Sequence, residues 1–404
     1  MDRTGVFEGV KIADFAWIGV GPITVKYLAD HGATVVHVES SSRPDALRLG
    51  RPFKNDTPGI DNSQFFANFN SSKYSLSLNL SRPEARETAR RLVQWADIVA
   101  ESYTPKAMRN WGLDYESLRK IKPELIMFST CQQGQTGPHS LFAGAGNTGA
   151  AMAGFYSVTG WPDRGPNYVY GAYTDFISPR FAAAALVAAL DYRDRTGKGQ
   201  YIDQSQIEAG VQFNAPAVLE YTVNGRVIGR GGNRSSDHAP HGAYPCRGED
   251  RWVAIVVETD DDWRALCRAM GDPEWARQAT YDSLAGRKAA EDELDLRLGE
   301  WTTTRTPEEV QDLLQAHGVA AGVVATTEDL FNDPQLQHRG HYRRLDHTTM
   351  GRVAYDGPSF RLSETPDTQF AAPCLGEHNE LVLKEFLGMT DEEVAALEAT
   401  GALQ

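Results

Sequence analysis

Val10-Lys-Ile-Ala-Asp14, Ile18-Gly-Val-Gly-Pro22 and Ala33-Thr-Val-Val-His-Val-Glu39 follow one another within one short stretch, and their order decides the fold. The first reads as an apolar strand and the second as a glycine-rich turn. The third reads as a β-branched strand, and residues 23–31 between them carry a helix that Gly32 stops. A strand–turn–helix–strand unit of this kind opens a parallel α/β sheet. The alternation continues downstream. Lys73–Asn79, Asp97–Glu101 and Leu125–Ser129 read as further strands, and Arg82–Gln94 as a helix with Pro83 in its first turn.

Two stretches interrupt that rhythm. Residues 132–167 are rich in glycine and read as a long functional loop, after which a helix is expected from about Asp175 to Asp194. Residues 222–250 combine Gly225, Gly229, Gly231 and Gly232 with Arg226, Arg230 and Arg234, and read as a linker into a second domain. That domain offers a strand at Arg251–Glu258 and helices at Asp261–Met270 and Pro307–His317.

Composition narrows the function classes. Forty Lys and Arg against 54 Asp and Glu give a net charge of −14. That balance argues against a nucleic-acid partner, which needs a basic footprint, while leaving room for an anionic ligand in a local positive pocket. No apolar run approaches the roughly 20 residues of a membrane span, and Met1–Gly5 lacks a signal-peptide pattern, so no membrane partner is expected. Cys131, Cys246, Cys267 and Cys374 are isolated and form no CxxC. No metal site or disulfide framework is expected, and a reducing cytoplasm is the expected compartment.

The chemistry-bearing motifs each have a plain structural reading. Gly19-Val-Gly21 follows a strand and Glu39 lies where a ribose-binding acid would sit, but the third position of a GxGxxG fingerprint falls on Thr24. Asp175, within Gly171-Ala-Tyr-Thr-Asp175-Phe, can be a helix N-cap or a nucleophilic carboxylate held at a helix start. The residues alone leave both open. No HExxH or Gly-x-Ser-x-Gly occurs.

Taken in order, several segments resemble the class III CoA-transferases, the group of formyl-CoA:oxalate, carnitine and benzylsuccinate CoA-transferases, with α-methylacyl-CoA racemase as a relative. They are Ile12-Ala-Asp-Phe15, Gly21-Pro22, Leu28–Glu39, Asn70-Ser-Ser-Lys73, Ala96–Glu101, Gly112–Glu116 and Gly134–Pro138. The series continues with Thr174-Asp175-Phe176, Ala188–Asp191, Arg195–Gln200 and Leu375-Gly-Glu-His378. The resemblance spans nearly the whole chain.

It implies a fold and a chemistry. The fold would be α/β, with a Rossmann-like large CoA-binding and catalytic domain (1–220), a smaller α+β domain with linkers (221–334), and a C-terminal segment (335–404) returning to the large domain. Two subunits would interlock, as a homodimer or as a heterodimer with a paralogous chain. The family's catalytic aspartate falls on Asp175. Its CoA contacts fall on Trp17, Ile18, Gly19, Val20, Asn70, Lys73, Ser102 and Tyr103. The implied reaction moves CoA from an acyl-CoA donor, such as succinyl-CoA, to a free carboxylic acid through aspartyl anhydride and aspartyl-CoA thioester intermediates. Coenzyme A and acyl-CoA are substrates, and no tightly bound cofactor is expected. Gly229–Asn233 falls where relatives carry a mobile glycine loop, and the aromatic residues Trp17, Trp161, Tyr168, Tyr170 and Tyr173 favour a bulky aromatic or dicarboxylic acceptor such as benzylsuccinate.

The chain also departs from the family. Glu101-Ser-Tyr-Thr-Pro-Lys106 replaces a more basic CoA-phosphate segment, and Ala145-Gly146 stands where racemase relatives carry a His-Asp pair. An acyl-CoA racemase on this fold would therefore lack one of its two bases. A non-catalytic CoA-binding subunit is a further alternative, against which the presence of Asp175 speaks.

Overall fold

Six parallel strands run β1 (Lys11–Asp14), β2 (Thr34–Glu39), β3 (Tyr74–Ser77), β4 (Ile98–Glu101), β5 (Ile126–Cys131) and β6 (Tyr201–Ser205), in the spatial order β3-β2-β1-β4-β5-β6. The computed structural model describes residues 5–404, so Met1–Thr4, part of the N-terminal segment without a signal-like pattern, lie outside the described residues. β1 pairs with β2 through Ile12–Val35 and with β4 through Ile12–Ile98. The chain builds one side of the sheet, then crosses to the other side of β1. Ligands of such sheets bind in the crevice at the carboxyl ends of the two strands flanking that crossover, here β1 and β4.

The period of two in each strand divides the core. Ile12, Val35, Ile98, Ile126 and Phe128 face the helices Val20–Ala29 and Tyr173–Thr196, where they meet Val25, Leu28, Leu186 and Leu190. Their neighbours Ala13, Val36, Val99 and Met127 face the opposite way, against Leu92 and Val93 of helix Pro83–Trp95 and against Val382 and Leu383 near the C-terminus. Helices therefore cover both faces, and the strands read as apolar runs.

β3 is an edge strand, and the Leu375–His378 motif covers it. Ser77 N–H donates to Asn379 Oδ1 at 2.8 Å, and Ser75 N–H to His378 Nδ1 at 3.2 Å. Blocking the open backbone groups in this way protects the edge from pairing with another chain. A hairpin of β10 (Tyr342–His347) and β11 (Gly351–Asp356) belongs to the same unit, which takes in the chain up to Phe155, Tyr168–Arg226 and Gln335–Gln404.

The second compact unit comprises Tyr156–Asn167 and Val227–Pro334. It holds an antiparallel sheet of β7 (His241–Pro245), β8 (Trp252–Val256) and β9 (Ala320–Val323) over a core that includes Trp263, Tyr281 and Leu298. β7 lies inside the stretch read as a linker.

The glycine-rich stretch also departs from its reading as a loop. It contains helices at Gly146–Met152 and Phe155–Val158. Two of its glycines serve close packing. A Cβ on Gly146 would lie 2.7 Å from the Asp175 Cγ, and one on Gly149 would lie 2.6 Å from the Thr174 Oγ1. The helix after it begins at Tyr173, with Ala172 as its N-cap, so Asp175 sits inside the first turn and does not cap its own helix.

Candidate active site

The loops leaving β1 and β4 frame a cavity of about 440 Å³. Trp17, Ile18, Gly19 and Val20 line it from the first loop, Ser102 and Tyr103 from the second, and Asp175 from the start of the long helix. Seven of the nine residues expected from the sequence thus come together. The other two do not reach it. Asn70 and Lys73 are fully buried, and the Lys73 Nζ donates to Asp14 Oδ2 at 2.8 Å, Asn70 Oδ1 at 2.9 Å and Pro22 O at 3.2 Å. A lysine charge taken out of water needs such partners. Burial would raise the Asp14 pKa, but Lys73 and His37 hold its carboxylate below the usual range.

Asp175 is buried, and its carboxyl group lies between two glycines. A Cβ on Gly19 would sit 2.8 Å from the Asp175 Cγ, and one on Gly146 2.7 Å away. Any side chain at either position would collide with it. Burial raises the Asp175 pKa to about 6, and a hydrogen bond from the Gly146 backbone offsets this only in part. Desolvation therefore outweighs the helix start as an influence on this group. Near neutral pH the carboxylate is mostly ionised yet poorly hydrated, which suits a nucleophile.

The cavity wall is aromatic and carries a cation. Trp17 lies 5.3 Å from Tyr103, which meets Trp111 edge-on at 5.2 Å, and the Arg43 guanidinium stands 5.4 Å over the Trp17 ring. Apolar rings beside an exposed arginine suit a ligand with both a flat or alkyl part and an anionic part. The sequence reading missed Arg43. Its one available signal was its place just after β2, beside the crossover crevice. Gln132 also lines the cavity, and its Nε2 donates to Ala145 O at 2.9 Å and Thr148 Oγ1 at 2.8 Å.

Other expectations fall elsewhere. Glu39 is clamped by the Arg48 guanidinium, with contacts of 2.7–3.0 Å, and is buried, so it offers no ribose contact. Tyr170 is 91% exposed and Tyr168 is exposed, while Tyr173 packs on Phe155 at 5.0 Å. None of the three lines the Asp175 cavity. Trp161 belongs to the second unit, where Gly232 packs on its ring. Among the described residues, no group of three or more His, Cys, Asp or Glu could hold a metal, and no helix is long and apolar enough to cross a membrane.

Fold and site together give an α/β protein with a buried carboxylate beside a cavity at the crossover crevice. The comparisons make the class specific. The CoA-transferase family III model matches residues 7–379, and the chain belongs to that family, as an enzyme of the class III CoA-transferases. It is 31% identical to a succinyl-CoA–D-citramalate CoA-transferase of Chloroflexus aurantiacus, over 97% of this chain and 96% of that one. It is also 31% identical to the beta subunit of a succinyl-CoA–L-malate CoA-transferase of the same organism, over 96% and 95%. Among solved structures, a CAIB/BAIF family protein from Brucella suis superposes with a TM-score of 0.86 at 29% identity, covering 95% of this chain and all of that one.

Proposed function

We propose that this chain moves CoA from succinyl-CoA to a small dicarboxylic acid, with Asp175 as the nucleophile. One observation carries the reading. The functional group wedged between Gly19 and Gly146 is a desolvated carboxylate opening on a cavity with an aromatic wall and a cation. The substrates in the names of the two relatives, succinyl-CoA with D-citramalate or L-malate, support a small dicarboxylate over an aromatic one such as benzylsuccinate.

The chemistry balances in two matched halves. An Asp175 oxygen attacks the thioester carbonyl, the C–S bond breaks, and CoA leaves as thiolate from a mixed anhydride. The thiolate then attacks the Asp175 carbonyl carbon, and the C–O bond breaks to release the donor acid and leave an aspartyl-CoA thioester. The acceptor carboxylate attacks that thioester, and the returning thiolate attacks the acceptor's acyl carbon of the new anhydride, freeing Asp175. Each step exchanges similarly activated acyl groups, so no single barrier is large. Water must be kept out, because the intermediates hydrolyse. Arg43, Trp17 and Tyr103 are the proposed CoA contacts, together with Ile18, Gly19, Val20 and Ser102. Ala145-Gly146 offers no proton-transfer group, which weighs against racemisation.

A second chain is part of the proposal. Helix Ala215–Asn224 has no buried residue, and it exposes Val218, Leu219, Tyr221 and Val223. Four exposed apolar side chains on one helix suit an interface, with a second copy or with a paralogous subunit of the sort that the malate enzyme's name implies. Light scattering on the purified chain distinguishes a monomer from a homodimer.

The function itself is tested by mass spectrometry. The chain is mixed with succinyl-CoA, trapped with hydroxylamine and digested. A hydroxamate on the Asp175 peptide, missing from the Asp175→Ala chain, is expected. Turnover in the Asp175→Ala chain would overturn the assignment.

A further inference from the structure

Ile18 adopts a left-handed backbone conformation, with φ at 67°, which is disfavoured for a β-branched residue and marks a strained position. It immediately precedes Gly19, the residue pressed on Asp175. Something must hold it there, and two side chains do so.

Ser102 takes the residue before it. Its Oγ accepts the Trp17 N–H at 2.9 Å and donates to the Trp17 carbonyl at 3.0 Å. Both bonds go to the backbone, so this side chain sets the path of the loop.

Asp45 takes Ile18 itself. Its Oδ2 accepts the Ile18 N–H at 2.8 Å, across 27 residues of sequence. Its other oxygen accepts the Leu47 N–H at 2.9 Å, and its own N–H donates to Glu39 Oε2 at 3.2 Å. Glu39 in turn is fixed by Arg48. Asp45 is 1% exposed and does not line the cavity. A buried carboxylate is costly unless its oxygens are used. Here they are used to hold a turn and a strained loop.

We infer that Asp45 is a positioning residue of the transfer reaction: it holds Ile18 in the left-handed conformation and so keeps Gly19 against the Asp175 carboxyl group. The inference rests on Asp175 being the reacting carboxylate. A displacement of this loop by about 1 Å would cost on the order of 100-fold in rate, because the carboxylate would leave its attack geometry.

The test uses glycine's freedom at positive φ. Asp45→Ala, Ile18→Gly and the double variant are compared with the parent chain. The readout is the single-turnover rate of Asp175 labelling by saturating succinyl-CoA, with KM recorded in parallel. Asp45→Ala is expected to lower the labelling rate about 10- to 100-fold in the parent background. In the Ile18→Gly background, where the conformation needs no restraint, the same substitution is expected to cost no more than about threefold. Asp45→Asn, which keeps a neutral acceptor, is expected to fall between. Equal losses in both backgrounds, or no loss with Ile18 in place, would overturn the inference. If far-UV circular dichroism shows that Asp45→Ala does not fold, Asp45→Asn takes its place in the cycle: a loss confined to the Ile18 background supports the inference, and equal losses or none overturn it. Turnover by Asp175→Ala would signal failure of the underlying reading, whatever the cycle gives.

Discussion

Replacing Asp175 by Asn removes a charge that the fold holds against its preference. The ordinary aspartate value of 3.8 is raised to about 6 by burial. At about 1.4 kcal/mol per pH unit, the ionised folded state is disfavoured by about 3 kcal/mol relative to the unfolded chain. Asn keeps the size and still offers an oxygen to the Gly146 N–H, but it loses a favourable charge in the first helical turn, worth up to about 1 kcal/mol. The variant is therefore expected to be inactive and about 2 kcal/mol more stable at pH 7.5. The pH dependence follows from the raised pKa. Below 3.8 both states of the parent chain hold the proton, so the penalty is absent. It grows between pH 4 and 6, as the unfolded chain loses a proton that the folded one keeps, and is complete above about pH 6. Urea denaturation of both chains at pH 7.5 and pH 4.5 measures it, with most of the advantage gone at the lower pH. An advantage equal at both pH values, or lower stability of Asp175→Asn at pH 7.5, would refute the claim that burial strains this carboxylate.

Three further outcomes are expected. The rate of Asp175 labelling by succinyl-CoA rises with pH to a plateau with a midpoint near 6, the value burial gives Asp175; a flat profile between pH 5 and 8 would assign the chemistry to another group. Gly146→Ala lowers kcat by about 100-fold with the far-UV spectrum retained, because its Cβ would meet both the Asp175 Cγ and the Ala172 backbone oxygen at 2.7 Å; near-parent activity would show that the carboxylate has room to move. Lys73→Met leaves the buried Asp14 with His37 as its one charged partner among the described residues and lowers stability by about 3 kcal/mol, while calorimetric CoA affinity in the folded variant stays within about threefold; a large loss of CoA affinity at unchanged stability would restore Lys73 as a ligand contact.

The sheet was legible because its signals are local. The alternation in Val10–Asp14, the glycine-rich turn at Ile18–Pro22 and the β-branched run to Glu39 each act over a few residues, and β1 and β2 appear where those patterns lie. That Asp175 and the loops at Trp17–Val20 and Ser102–Tyr103 meet at one cavity was legible through the order and spacing of family motifs. The helix Gly146–Met152 was not, since glycine in sequence marks a loop as readily as a close contact. Its meaning at Gly146 and Gly149 depends on Thr174 and Asp175 packing against it.

By itself, then, the sequence determined the parallel α/β class, the CoA-transferase family and the carboxylate at position 175. Tertiary structure alone decided which charges face the ligand and which face inward. Lys73 meets Asp14 across 59 residues and turns into the core, while Arg43 stays at the surface over Trp17. It also decided that Asp45 grips the loop at Ile18 and that two glycines enclose Asp175. The physical reason is shared by all of these. A side chain's propensity is set by its neighbours in the chain, but the desolvation of a charge and the room for a Cβ are set by residues that only folding brings near.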